Sequence, residues 1–299
     1  MTPGFPQPSR LIRTMLFVPG NRAGWIDKAA KAGADALVLD LEDSVPVAEK
    51  ASARAIVAEA VGKHDPAAGL LYVRTNPGPH IPDFDDILAV VRPGLAGLFV
   101  AKVEDAADVD IVSRMVAEAE RRRGMAIGTV RLVVALETAR AVQLSFEIAS
   151  HWRVETLVAS AARNADVARA LGFTWTMEGQ ETLYHRSRAI IACRAAGKRF
   201  PIGGLWQDVH DLDGLRTFAE ANRRLGFTGE IVLHPTNVAV VNAVYSLSAA
   251  DRAYFEGMIA AFAAAEAEGK AAVMYRGEHV DIAHIETARD TLRVHGDRA

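Results

Sequence analysis

Residues 36–46 read ALVLDLEDSVP, and residues 47–61 follow as VAEKASARAIVAEAV. A short run dense in Leu and Val ends abruptly in acids, and Pro46 then opens an amphipathic helical pattern. Apolar residues at consecutive positions suit a strand buried on both faces, which is the condition of a parallel sheet covered by helices. The same unit recurs along the chain. Strands are expected at Thr14–Pro19, Ala36–Glu42, Leu70–Thr75, Gly97–Lys102, Arg131–Glu137, Thr156–Ser160, Phe200–Trp206 and Glu230–Pro235, each followed by a helical stretch. Eight such βα units predict a closed (β/α)8 barrel, an α/β fold whose chemistry sits at the C-terminal ends of the strands.

The 299 residues exceed one barrel of roughly 250 residues. The expected division is a barrel over 1–248, with a short N-terminal arm, and an extension over 249–299. The extension starts with an Ala/Glu-rich helix, DRAYFEGMIAAFAAAEAEG, and serves as a lid or oligomer arm. The N-terminal MTPGFPQPSRLIR carries three prolines and no signal-peptide core, so it reads as a loose arm. No run approaches the ~18 uninterrupted apolar residues of a membrane span. The net charge of −3 gives no basic field for nucleic acid. Cys193 is the single cysteine, which excludes an intramolecular disulfide framework and fits a cytoplasmic protein.

The expected strand ends carry the candidates. Glu137 follows an apolar run where strand meets loop, a position suited to a ligand of a hard divalent cation; the alternative is an acid facing a helix dipole. Asp166, after the sixth strand, is the natural second carboxylate, or else a helix-surface acid. Arg74 ends an apolar strand, and its guanidinium can grip a carboxylate bidentately. Lys102 is an electrostatic group, a Schiff-base former or a salt-bridge partner. Asp40, Glu42 and Asp43 form a dense acidic cluster; alternation puts Asp40 and Glu42 on one side, and Arg13, Arg74 or Lys102 are the cations available to pair with them. His234, before Pro235, either touches substrate or seals a loop. Either Asp211 or Asp213 can cap the following helix. There is no HExxH, nucleophile elbow, Walker loop or dinucleotide fingerprint.

Taken in order, RTMLFVPGNR, ALVLDLEDSVPVAEKASAR, YVRTNP, VAKVEDA, ALETARA and VLHPTNVAVVN resemble the citrate lyase β-subunit-like branch of the HpcH/HpaI aldolase family. Malyl-CoA and citramalyl-CoA lyases are relatives within it. The resemblance spans about Arg13 to Leu292. It implies a TIM barrel, Mg²⁺ (with Mn²⁺ as a substitute), and carbon–carbon cleavage or formation in acyl-CoA substrates, in a homo-oligomer of three or a multiple of three subunits. It puts the metal on Glu137 and Asp166 and the substrate carboxylate on Arg74. Arg13, Lys102 and His234 are expected to contribute to substrate binding. In the tail, RGEHVDIAHIETAR resembles an element that supplies a catalytic aspartate, here Asp281, often to a neighbouring subunit; by residues alone Asp281 is a helix N-cap. The chain departs from the family's Gly-x-Asp pattern by carrying Asn164, and it has Ala165 where an acid is common. Two other readings therefore stand beside the lyase: an aldolase that splits a free 2-keto acid without coenzyme A, and a barrel that binds without catalysing.

Overall fold

The computed structural model describes residues 11–78 and 83–296. Most of the expected N-terminal arm, and residues 79–82 of the proline-rich loop after the third strand, lie outside the described residues. Eight parallel strands close into a barrel in sequential order: β1 (Thr14–Pro19), β2 (Ala36–Asp40), β3 (Leu70–Arg74), β4 (Gly97–Val100), β5 (Arg131–Ala135), β6 (Val154–Val158), β7 (Ile202–Gly203) and β8 (Gly229–Val232), with β1 pairing β8.

The continuous apolar runs are explained by two cores on the two faces of the strands. Met15, Val38, Tyr72, Phe99, Val133, Ala135, Val158 and Ile231 fill the barrel interior. The alternate residues, among them Leu16, Leu39, Val73, Leu98, Leu132 and Val134, meet the surrounding helices. Fully burying a Leu or Val side chain contributes about 1.5–3 kcal/mol, so both faces stabilise the barrel.

The helices of this unit are α1 (Ala23–Ala29), α2 (Lys50–Lys63), α3 (Phe84–Val90), α4 (Ala106–Arg122), α5 (Ala139–Gln143), α6 (Ser145–Ser150), α7 (Asp166–Leu171), α8 (Leu183–Ala195), α9 (Leu212–Leu225) and α10 (Pro235–Tyr245). Asp211 is the residue that caps α9, accepting from Gly214 N at 2.9 Å.

The strands end earlier than the sequence predicts. Glu42, Lys102 and Glu137 all lie beyond the last ladder residue and stand in βα loops. In β6 the frame also moves: Leu132 pairs with Val154 but Val133 pairs with Thr156, a bulge that starts the strand two residues early. The seventh strand shrinks to two residues. Gly203 lies against Glu230, where a Cβ would come within 3.0 Å of Oε2, and Gly204 has φ +129 and lies against Ile231.

The chain divides into two compact units, Met1–Tyr245 and Ser246–Ala299. The second contains α11 (Ala249–Ala267), β9 (Ala272–Tyr275), β10 (Glu278–Asp281) and α12 (Ile282–Gly296), around its own core of Met258, Phe262, Val280, Ile285 and Ala288. The antiparallel pair β9–β10 turns on Arg276–Gly277, both with positive φ (+49 and +88), as a two-residue hairpin of the primed kind requires. This hairpin was not expected from the sequence. Arg is an unusual first residue for such a turn, and the flanking strands are short.

Candidate active site

Asp40, the last residue of β2, organises the mouth of the barrel. Its carboxylate accepts from the backbone N–H of Glu42 (2.8 Å) and Ser44 (3.1 Å). Arg74, the last residue of β3, grips it from the side, with Nε on Oδ1 and Nη2 on Oδ2, both at 2.7 Å. Burial opposes the charge on Asp40, but Arg74 and these donors hold its carboxyl below the usual range. Gly20 is required by this geometry. The turn after β1 passes so close that a Cβ would lie 2.6 Å from the Asp40 carbonyl oxygen.

Glu42 is buried and spans two cations. Lys102 Nζ donates to Oε1 at 2.6 Å, and Arg74 Nη1 lies 2.9 Å from Oε2. Burial raises the Glu42 carboxyl despite both cations. Lys50 of α2 pins the loop by donating to the carbonyls of Leu41 (2.7 Å) and Glu42 (2.5 Å). Lys102 itself sits at φ +57. Burial works against its charge, but Glu42 and Asp43 raise its pKa, so it remains an ammonium. Of the roles expected for Lys102, its ion pairs with Glu42 and Asp43 correspond to the salt-bridge partner. Asp43, more exposed, lies 3.7 Å from both Arg74 and Lys102.

Glu137 stands just past β5 and lines a cavity of about 220 Å³ together with Asp166, Asp43 and Arg74. Capping of α5 falls to Thr138, whose hydroxyl accepts from Ala141 N at 3.0 Å, which leaves the Glu137 carboxylate to the cavity. Among the described residues no donor meets that carboxylate. Burial, then repulsion from Glu42 and Asp166, pushes its pKa up to about 7, only partly offset by Arg74 and Lys102. Asp166 opens α7 and pairs with Arg169. Asn164, in the family's glycine position, has φ +55. Asn tolerates the left-handed region better than most residues.

A hard divalent cation fits this arrangement. Two carboxylates share one cavity, and one lacks a protein partner and is destabilised by neighbouring negative charge. Among the described residues no cluster of three or more His, Cys, Asp or Glu forms a closed metal cage. Mg²⁺ in particular uses one or two carboxylates and completes its shell with water and substrate oxygens.

A second cavity of about 560 Å³ adjoins the first, and Phe17, Asp43, Arg74 and Leu233 line both. Its other walls include Pro19, Trp25, Lys28, Ser44 and His234. Trp25 is 57% exposed and stands at this cavity. In α1 only Ala29 is buried. His234 bonds Thr236 Oγ1 at 2.7 Å through Nδ1.

One expected site residue falls elsewhere. Arg13 precedes β1 and is therefore at the N-terminal end of the barrel, opposite the mouth. It binds Asp35 through Nε (2.9 Å) and Nη2 (2.9 Å), not substrate or the acidic cluster. Asp281 belongs to the second unit, where it accepts from Ala283 N (3.1 Å) and pairs with His284 Nδ1 (2.6 Å), the work of an N-cap.

A closed parallel barrel with an arginine and several carboxylates converging on a cavity at its C-terminal mouth is the architecture of an enzyme. The sequence model of the HpcH/HpaI aldolase/citrate lyase family matches residues 13–235, and the chain belongs to that family, as an enzyme of the carbon–carbon lyase class. It is 33% identical over 273 residues to the citrate lyase subunit beta of Leuconostoc mesenteroides subsp. cremoris, covering 91% of this chain and 89% of that protein. It is 35% identical over 311 residues to an L-malyl-CoA/beta-methylmalyl-CoA lyase of Cereibacter sphaeroides, covering 96% of each. Among solved structures, CitE from Mycobacterium tuberculosis in complex with magnesium, acetoacetate and coenzyme A superposes with a TM-score of 0.76 at 26% identity. That match covers 96% of this chain and 99% of the other.

Proposed function

We propose that this protein is a Mg²⁺-dependent lyase that cleaves, or forms in reverse, the carbon–carbon bond of an acyl-CoA ester of a hydroxy-dicarboxylic or tricarboxylic acid. The observation that carries this reading is the unpartnered Glu137 carboxylate beside Asp166 in a cavity that Arg74 also lines. Glu137 and Asp166 would hold the ion, which when bound supplies Lewis-acid polarisation of a substrate oxygen. Arg74, fixed from behind by Asp40 and Glu42, presents its remaining N–H groups to the substrate carboxylate. Lys102 holds Glu42 in place and supplies positive charge near the acids. The larger cavity, with Trp25, Lys28 and His234 in its walls, takes the coenzyme A arm.

In the cleavage direction a base takes the hydroxyl proton, the bond breaks, and an acyl-CoA enolate departs to be protonated. The family resemblance assigns Asp281 that proton transfer. Asp281→Asn tests the assignment, with retention of full turnover as the result against it.

The large outer cavity favours a thioester over a free keto acid. The reading of a barrel without catalysis rests on the altered stretch around Ala165; the likeness to lyases over 91–96% of the chain weighs against it. Assembly as a homo-oligomer, a trimer or a multiple of three, belongs to the same proposal. It is supported by Phe146, Tyr184 and Ile191, which expose apolar surface around one groove on α6 and α8. A cytoplasmic location is also proposed; among the described residues no helix is long and apolar enough to cross a membrane.

The test is thioester cleavage by the purified protein, offered malyl-, citramalyl- and citryl-CoA with Mg²⁺ and with EDTA. Mg²⁺-dependent release of keto acid and acyl-CoA from any of them is the expected result. No cleavage, beside an active relative as control, overturns the proposal.

A further inference from the structure

Glu137 follows β5 directly, but Asp166 comes after a loop that starts beyond Val158, the last residue of β6. Asp166 is the first residue of α7, a helix of six residues with Ala165 at its N-cap and no side-chain cap bond. A Ser, Thr, Asn or Asp at that place would fix where the helix starts, and alanine does not. The position of the Asp166 carboxylate therefore depends on what anchors the loop before it.

That anchor is an extension of the sheet. Beyond the paired strands, Ala159 N donates to Ile202 O at 3.0 Å and Ala161 N to Gly204 O at 2.8 Å, so every second residue of the loop adds a rung against β7 and its continuation. At the next step Trp206 turns inward. It is buried, its Nε1 donates to Asp211 O at 3.1 Å, and its ring meets Phe218 of α9 with centroids 5.7 Å apart. The third rung is made by a side chain instead. Arg163 N donates to Gln207 Oε1 at 2.7 Å, and Gln207 Nε2 donates to Arg163 O at 3.1 Å. A carboxamide offers both an acceptor and a donor, so it takes the place of a strand's peptide group. The Arg163 guanidinium lies 4.8 Å from the centre of the Trp175 ring, and Trp175 meets Trp206 at 6.0 Å. Asn164, at φ +55, then turns the chain into α7. Ala162 and Ala165 on one limb and Leu205 on the other line the inner cavity with Asp166.

We propose that Gln207 is a positioning residue for Asp166: by clamping the Arg163 backbone to the loop after β7, it sets the place from which α7 presents that carboxylate to the metal ion. The proposal rests on Glu137 and Asp166 as the ligand pair and adds to it a residue that lines neither cavity. Gln207 and Arg163 are both exposed, so water can replace the two bonds when they are lost. Global stability therefore depends little on the clamp, and what its loss removes is the fixed geometry of the loop.

Mn²⁺ binding, followed by electron paramagnetic resonance, tests this without turnover. Gln207→Leu is close in size and offers neither bond; Gln207→Asn keeps the carboxamide but is one methylene short. Each is expected to raise the Kd for Mn²⁺ by about tenfold, the low end of what is lost when a group that orients a metal ligand is removed. The denaturation midpoint is expected to stay at the wild-type value, the Arg163 amide to exchange its hydrogen faster, and saturating Mg²⁺ to restore kcat. An unchanged Kd in both variants, unchanged exchange at Arg163, or a raised Kd that only follows a fallen midpoint overturns the inference and leaves the ligand pair standing. Absence of Mn²⁺ binding by the wild-type protein removes the ligand pair itself, and this inference falls with it.

Discussion

The two ends of the barrel both bury charge, but they do so to opposite effect. At the N-terminal end the charges are enclosed and mostly paired, although Arg153 Nη2 and Arg131 Nε and Nη1 are buried without a hydrogen-bond partner. Arg153 and Glu120 are fully buried together, with Arg153 Nη1 3.1 Å from both carboxylate oxygens and Nε bonded to Ser113. Glu120 also accepts from the backbone N–H of Gly128 and Val130. Arg13 and Asp35 form a second such pair. Nearby, Tyr72 donates to Glu155 at 2.9 Å inside the barrel. At the C-terminal mouth the acids outnumber the cations that line the inner cavity, and Glu137 is left without a donor. Charge closed by its partners holds a fold in one arrangement. Charge left open toward a cavity has free-energy to gain from a ligand, which is why the barrel mouth and not its base is the reactive end.

The comparison can be broken most severely at Glu137. Glu137→Ala is expected to abolish Mg²⁺-dependent turnover while leaving the denaturation midpoint equal or higher, since it removes a carboxylate repelled by Glu42 and Asp166. Retained turnover, or a large loss of stability, would place Glu137 among the structural charges instead.

Arg153→Ala is the converse experiment. It leaves Glu120 buried without its cation, and a loss of about 3–5 kcal/mol in urea denaturation is expected. The kcat of the folded enzyme should not change, because the pair lies at the far end from the mouth. Arg74→Lys sharpens the mouth alone. Lysine cannot reproduce the two-point grip on Asp40, so about a 10–100-fold fall in kcat/KM is expected, the range seen when groups that orient a reactive site are lost.

The smallest effect concerns pH. Burial pushes the Glu155 carboxyl up to about 7. A carboxyl raised on folding prefers its neutral form in the native state. Its contribution to stability is therefore complete below the unfolded value of 4.5 and is lost as pH rises through about 7. Glu155→Gln is expected to flatten the fall in denaturation midpoint between pH 5 and pH 8 relative to the wild-type protein, by on the order of 3 kcal/mol at most. An unchanged slope would show that Glu155 does not carry the dependence, which then falls to the other raised carboxyls, Glu137 and Glu230.

Much of the barrel is readable from residue order. Parallel strands covered on both sides need apolar side chains at every position, and runs such as ALVLD and RLVVA have few other uses. Arg13 was misjudged although its signal was available: a residue before a strand in a parallel barrel belongs to the base. The hairpin of the second unit escaped because Arg276 takes a positive φ that its residue type does not advertise.

The sequence by itself determined the strand count, the barrel class and the family, because these depend on local pattern and on motifs in fixed order. It also singled out Arg74 and Glu137, since charged residues at the ends of apolar runs emerge at the mouth, and the family resemblance added Asp166. Only the tertiary structure decided how the charges are shared: that Asp40 claims Arg74, that Glu42 claims Lys102, that Asp35 claims Arg13, and that Glu137 is left unpaired. Those outcomes depend on distances between side chains on different strands, where an ångström decides whether an acid is neutralised or exposed to a cavity, and no pattern along the chain encodes them.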